Sequence, residues 1–109
     1  MSESRGLLQG TVDVLILKTL TWKPLHGYGI SEFIREQSKG DLAVEDAALY
    51  QALHRLERKG LVDSEWGISD TNRRARFYSI TTPGRKQLRN EVVELRRYVN
   101  ALFRVLEPA

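Results

Sequence analysis

Six apolar side chains near the C-terminal end, Leu88, Val92, Leu95, Val99, Leu102 and Leu106, recur at spacings that alternate between four and three residues. That rhythm is the heptad seam of a helix packed along another helix. A helix carrying it from Thr82 or thereabouts would extend roughly 35 Å at its ordinary rise per residue. The chain has 109 residues, so little more than a small domain precedes the seam, too little to cover it from end to end. The pattern therefore predicts a partner helix from a second copy of the chain.

The remaining composition fits one ordinary domain. Charged residues make up 28% and hydrophobic residues 41%, which is neither the profile of a fibre nor that of a disordered tail. Cysteine is absent, removing disulfide frameworks, thiol nucleophiles and thiolate metal sites. Val12 to Leu20, the longest apolar-looking stretch, is interrupted by Asp13 and Lys18 and falls far short of the roughly 20 residues a membrane span needs. Met1-Ser2-Glu3-Ser4-Arg5 lacks the basic-then-apolar layout of a secretory signal, so a cytoplasmic protein with no membrane partner is expected. No phosphate loop, nucleophile motif or paired-carboxylate pattern stands out, and the two histidines make no metal set. Neither enzyme chemistry nor a metal or other cofactor is expected.

Glycine and proline divide the chain into six elements. A first helix from about Leu7 to Thr21 has Leu8, Val12, Leu15, Ile16 and Leu20 on one face and Leu7, Val14 and Leu17 on another, which predicts burial on two sides, one of them against a second subunit. Ile30, Phe33 and Ile34 mark a second helix over about Tyr28 to Ser38, with His26 in the turn before it. Leu42-Ala43-Val44 reads as a short extended stretch. Glu45-Asp46 then offers a carboxylate cap to a third helix, whose stripe is Leu49, Leu53 and Leu56 and which stops at Lys59-Gly60. Leu61 to Trp66 and Ala75 to Thr81 read as two strands joined by a polar tip. Thr81 or Thr82, followed by Pro83, starts the last helix. Trp22 and Trp66 read as core or interface aromatics.

Charge is unevenly spread along these elements. Residues 1–46 hold five basic and seven acidic side chains, whereas residues 47–109 hold twelve and seven. Arg73, Arg74, Arg76, Arg85, Lys86 and Arg89 follow one another with no acid between, as expected of a surface that meets a polyanion. The last three start a helix whose dipole disfavours cations, and an external anion such as phosphate gives them a reason.

Three helices and a two-stranded hairpin in this order form the winged helix-turn-helix arrangement, in which the third helix enters the major groove of DNA. The expected fold is mainly α with a small β-hairpin. Residues 1–81 would form the winged helix-turn-helix domain with its N-terminal helix, and residues 82–109 the dimerisation helix, as one compact unit. Opposite its leucine stripe the third helix presents Ala47, Tyr50, Gln51, His54, Arg55 and Arg58. These side chains supply donors for phosphate oxygens and base edges, and Gln51 can pair bidentately with adenine. With Arg73, Arg74 and Arg76 on the hairpin they make the expected DNA-binding set. His54 and Glu57, one turn apart, read as a helix-surface pair rather than an acid-base dyad. Leu8 and Val12 join the six seam residues as the expected dimerisation set.

Several ordered motifs carry a further resemblance: Gly10-Thr11-Val12-Asp13-Val14-Leu15-Ile16-Leu17, Leu25-His26-Gly27-Tyr28-Gly29-Ile30, the run from Leu49 to Leu61, Glu65-Trp66-Gly67, Arg73-Arg74-Ala75-Arg76-Phe77-Tyr78 and the run from Thr81 to Leu88. From Leu7 to about Leu106 the chain resembles the PadR family of phenolic-acid-responsive and multidrug-responsive transcriptional regulators, in its compact subgroup with a single C-terminal helix. The resemblance implies a homodimer that binds double-stranded DNA at a pseudo-palindromic operator, usually as a repressor, and answers a small hydrophobic or aromatic effector. It places Tyr50 and Arg55 near the DNA backbone and Arg73, Arg74 and Arg76 on the wing. Some relatives stack planar ligands on a tryptophan of the last helix, where this chain offers Tyr98 and Phe103. The chain departs from the family at Asp46-Ala47-Ala48, where Ala48 lacks a hydroxyl for phosphate, and at Gln51, which stands in place of a proline and adds a group able to read bases. The alternative function is a winged-helix module for protein association, whose docking through apolar seams would survive salt that strips DNA.

Overall fold

The computed structural model describes residues 10–108. Its elements are α1 (Thr11–Leu20), α2 (Gly27–Gln37), α3 (Asp46–Arg58), β1 (Val62–Ile68), β2 (Arg74–Ile80) and α4 (Thr82–Leu106). This is the mainly helical fold with one hairpin that the sequence predicts. Among the described residues no helix is long and apolar enough to cross a membrane.

The core forms where α1 meets α2, α3, α4 and β2. Val14, Ile16, Leu17 and Leu20 of α1 are buried against Ile30 and Ile34 of α2 and Leu49, Ala52, Leu53 and Leu56 of α3. The chain's own elements thus cover Val14, Ile16, Leu17 and Leu20, whereas Leu15 stays only partly buried. Val12 is partly buried on that same core. Leu7 and Leu8 lie outside the described residues.

Local chemistry sets the helix ends. His26 occupies the N-cap of α2, and its Nδ1 accepts a hydrogen bond from the Gly29 amide at 3.0 Å. At the other end Lys39 and Gly40 adopt positive φ, 55° and 85°, and the Gly40 amide reaches back to the Arg35 carbonyl. Glu45 holds the N-cap position of α3 but makes no side-chain capping bond, so the expected carboxylate cap does not form. Leu42-Ala43-Val44 forms no strand; it delivers Val44 into the core.

The hairpin pairs antiparallel from Val62↔Ile80 to Ile68↔Arg74. The strands run closer to the tip than expected, and Asn72 at φ 62° lets residues 69–73 close the turn. Leu25 adds a backbone bridge, exchanging hydrogen bonds with Tyr78 at 3.1 and 2.9 Å. A loop of Pro24, Leu25 and His26 carries no strand signal, because the bridge is dictated by its partner.

Thr81 joins the hairpin to α4. Its Oγ1 accepts from the Gly84 amide at 3.0 Å and donates to the Gly60 carbonyl at 2.8 Å. A Cβ on Gly84 would lie 2.1 Å from the Leu61 carbonyl oxygen, so only glycine admits this close approach. Along α4 the seam then leaves the domain. Leu88 is buried in the chain's own core at 8% exposure, Val92 and Leu95 are half-covered, and Leu102 and Leu106 reach 39% and 65%. Leu88 is therefore part of the chain's own core.

Candidate nucleic-acid interface

Helix α3 turns one face inward and the other to solvent. Tyr50, Gln51, His54 and Arg58 are exposed on the outer face, as their spacing from the leucine stripe predicts. Tyr50 is 44% exposed, and its ring lies across the start of α2, where a Cβ on Gly27 would fall 2.2 Å from the phenol oxygen. The glycine after the His26 cap leaves the room that the Tyr50 ring occupies.

The flanks of α3 carry ion pairs. Arg55, expected on the open face, turns aside to Asp13 of α1, with Nη2 2.7 Å from Oδ1. Glu57 likewise does not serve His54. Its carboxylate accepts from the Ser64 hydroxyl at 2.7 Å, and Arg76 reaches the same oxygen at 3.7 Å. Arg76 also donates from Nε to the Ser64 oxygen at 2.9 Å. A polar chain therefore fastens the hairpin to α3.

Beyond this joint the hairpin is an aromatic and cationic surface. Trp66 is 55% exposed, with the Arg74 guanidinium 4.5 Å and the Arg76 guanidinium 5.5 Å from its ring. Arg73 and Arg74 are exposed, and Ile68 stands beside them. Trp22 too lies outside the core, stacked on Phe33 at 5.3 Å beneath Lys23. Neither tryptophan fills the core, because each interrupts a surface-facing position that hydropathy alone misassigns. Burial raises the phenol of Tyr78 in β2 above its ordinary value. At Tyr28 a hydrogen bond to Glu32, and the charge of that carboxylate, act in the same direction.

The exposed α3 face and the hairpin thus present amide, imidazole, phenol and guanidinium donors side by side. Arg85, Lys86 and Arg89 are exposed at the start of α4. Residues 16–90 match the Transcriptional regulator PadR-like family. The chain belongs to that family. Among solved structures, it is 30% identical to a transcriptional regulator from Clostridium thermocellum, with a TM-score of 0.80 over 89% of this chain and 94% of that one. A PadR family transcription regulator from hypervirulent Clostridium difficile is 28% identical, with a TM-score of 0.72 over 89% of this chain and 98% of that one. Bacillus subtilis PadR, solved in complex with operator DNA, shares the fold at 22% identity, with a TM-score of 0.66 over 75% of this chain and 47% of that one.

Proposed function

We propose that this PadR-like chain is a sequence-specific regulator that binds double-stranded DNA as a homodimer and represses until a small ligand releases it. The observation that carries the reading is the outer face of α3, with Gln51, His54 and Arg58 free to solvent, beside a hairpin that holds Arg73 and Arg74. A helix of this kind fits the major groove, and the arginines supply phosphate contacts. That Bacillus subtilis PadR, which shares the fold, is solved in complex with operator DNA supports a DNA partner.

Dimerisation is the reading of α4. Val99, Leu102 and Leu106 are exposed in the single chain, and Leu95 is half-covered, a stripe that a second α4 would bury. Two recognition helices would then sit about 34 Å apart on a pseudo-palindrome. The effector reading rests on a cleft of about 380 Å³ between α1 and α4, walled by Thr11, Val14, Glu91, Glu94, Leu95 and Tyr98. Val14, Leu95 and Tyr98 suit a small hydrophobic or aromatic ligand, and Glu91 and Glu94 add carboxylates beside it. We take the cytoplasm, where a DNA partner is accessible, as its compartment.

The deciding experiment is a shift assay of the purified chain on its own promoter region against random duplex. Preferential binding that weakens by orders of magnitude between roughly 50 and 200 mM salt is expected. No binding at low salt, or equal affinity for both duplexes, refutes the reading. The exposed α4 stripe also fits a protein-association module, which would instead retain its partner in high salt.

A further inference from the structure

Arg74 and Arg76 both lie over the indole of Trp66, and only one of them is free to act elsewhere. Arg76 is held by Ser64 and Glu57, whereas Arg74 has no acidic partner among the described residues. We infer that Trp66 is a positioning residue for DNA binding: its indole fixes the Arg74 guanidinium toward the duplex, while Arg76 serves as the strut that locks this platform to α3. The inference rests on the DNA-binding reading above and assigns unlike roles to arginines that the sequence presents as equivalent.

The geometry gives each step a cause. Trp66 and Arg76 are direct cross-strand partners, and Arg74 is two residues along the same face. A guanidinium lying on an aromatic face keeps its N–H edges available, so the stack holds Arg74 without consuming the donors a phosphate needs. The indole is more than half exposed, so it contributes little to the core. Anchoring comes from the other side, through Arg76 to Ser64 and from Ser64 to Glu57 on α3. The wing cation and the helix that reads the groove are therefore held at one spacing before DNA arrives. Ordering a long side chain in advance removes an entropic cost of association.

The test uses the full chain with Trp66→Ala, Trp66→Phe, Arg74→Ala, Arg76→Ala and the Trp66→Ala/Arg74→Ala double variant. Affinity for the promoter duplex is measured by fluorescence anisotropy across a salt series, and ring-current shifts of the Arg74 side-chain protons are measured by NMR without DNA. Trp66→Ala should weaken binding about three- to tenfold while leaving the salt slope unchanged, because no cation is lost. Arg74→Ala should lower that slope by about one phosphate contact, and Arg76→Ala should weaken binding with the slope retained. Trp66→Phe should recover most of the affinity, and the double variant should lose little more than Arg74→Ala alone. Wild-type Arg74 protons should shift upfield and return in Trp66→Ala. Wild-type protein that binds the promoter while Trp66→Ala stays within twofold, or while the two losses simply add, overturns this inference alone, as does the absence of ring-current shifts. Ring-current shifts in a wild-type protein with no preference for its promoter overturn the DNA reading and this inference with it.

Discussion

Gln51 and Tyr50 are neighbours on α3 with different constraints. Tyr50 rests on the start of α2 above Gly27, whereas Gln51 is exposed on the outer face. A side chain free of intramolecular work at that position is suited to base edges, and replacing it should change preference at one base pair by about 1–3 kcal/mol. Selection of bound duplexes from a random pool by Gln51→Ala and wild type measures this, and an equal loss on every sequence would exclude base reading. The glycines divide in a similar way. Gly27→Ala meets the far end of the Tyr50 side chain, which can swing away, whereas Gly84→Ala meets the Leu61 carbonyl of the backbone. Thermal unfolding should therefore show a loss of about 1–3 kcal/mol for Gly84→Ala and a smaller one for Gly27→Ala. Residue types along the chain indicate which side chains can donate, and helical spacing indicates which of them face out. Neither reveals that Arg55 is occupied by Asp13, 42 positions away along the chain.

At the scale of elements, α3 is braced on both flanks. Asp13 ties it to α1 through Arg55, and Glu57 ties it to the hairpin through Ser64 and Arg76. The Arg55 side chain is 42% exposed and that of Asp13 21%, so water screens much of their attraction. A double-mutant cycle with Asp13→Ala and Arg55→Ala should give a coupling of about 0.2–1 kcal/mol in chemical denaturation. DNA affinity should fall in both single variants, because an unbraced α3 no longer meets the groove at a fixed angle. Element order and type follow from local patterns, since leucine spacing, the Thr81 cap and the left-handed turn at Lys39-Gly40 are all short-range. Leu25 pairing with Tyr78 is not legible in this way. Its hydrogen bonds depend on a strand more than fifty residues later.

The whole molecule is elongated, 54 × 31 × 21 Å, because α4 runs out beyond the body that holds its first turns. Its exposure gradient from Leu88 to Leu106 divides one heptad seam into a core half and an open half. The open half predicts that sedimentation finds two chains per particle. Leu102→Glu with Leu106→Glu should yield single chains that keep their helical circular dichroism, since neither side chain belongs to the core. Operator affinity should collapse in that variant, because one recognition helix loses the additive contribution of the other. A particle of two chains that persists in the double variant would assign dimerisation to another surface.

The amino-acid order alone determined the helices, the hairpin, the outward face of α3 and the existence of a seam, because each follows from the periodicity and capping of contiguous residues. Only the tertiary structure decided that Leu88 ends in the core, that Val14 and Leu17 of α1 are buried by their own chain, that Arg55 and Arg76 are spent on internal pairs, and that Trp66 lies under Arg74 on the surface. Those outcomes depend on which distant groups arrive within a few ångströms of one another. Ion pairs, stacked cations and shared burial are properties of that meeting, and no local pattern encodes it.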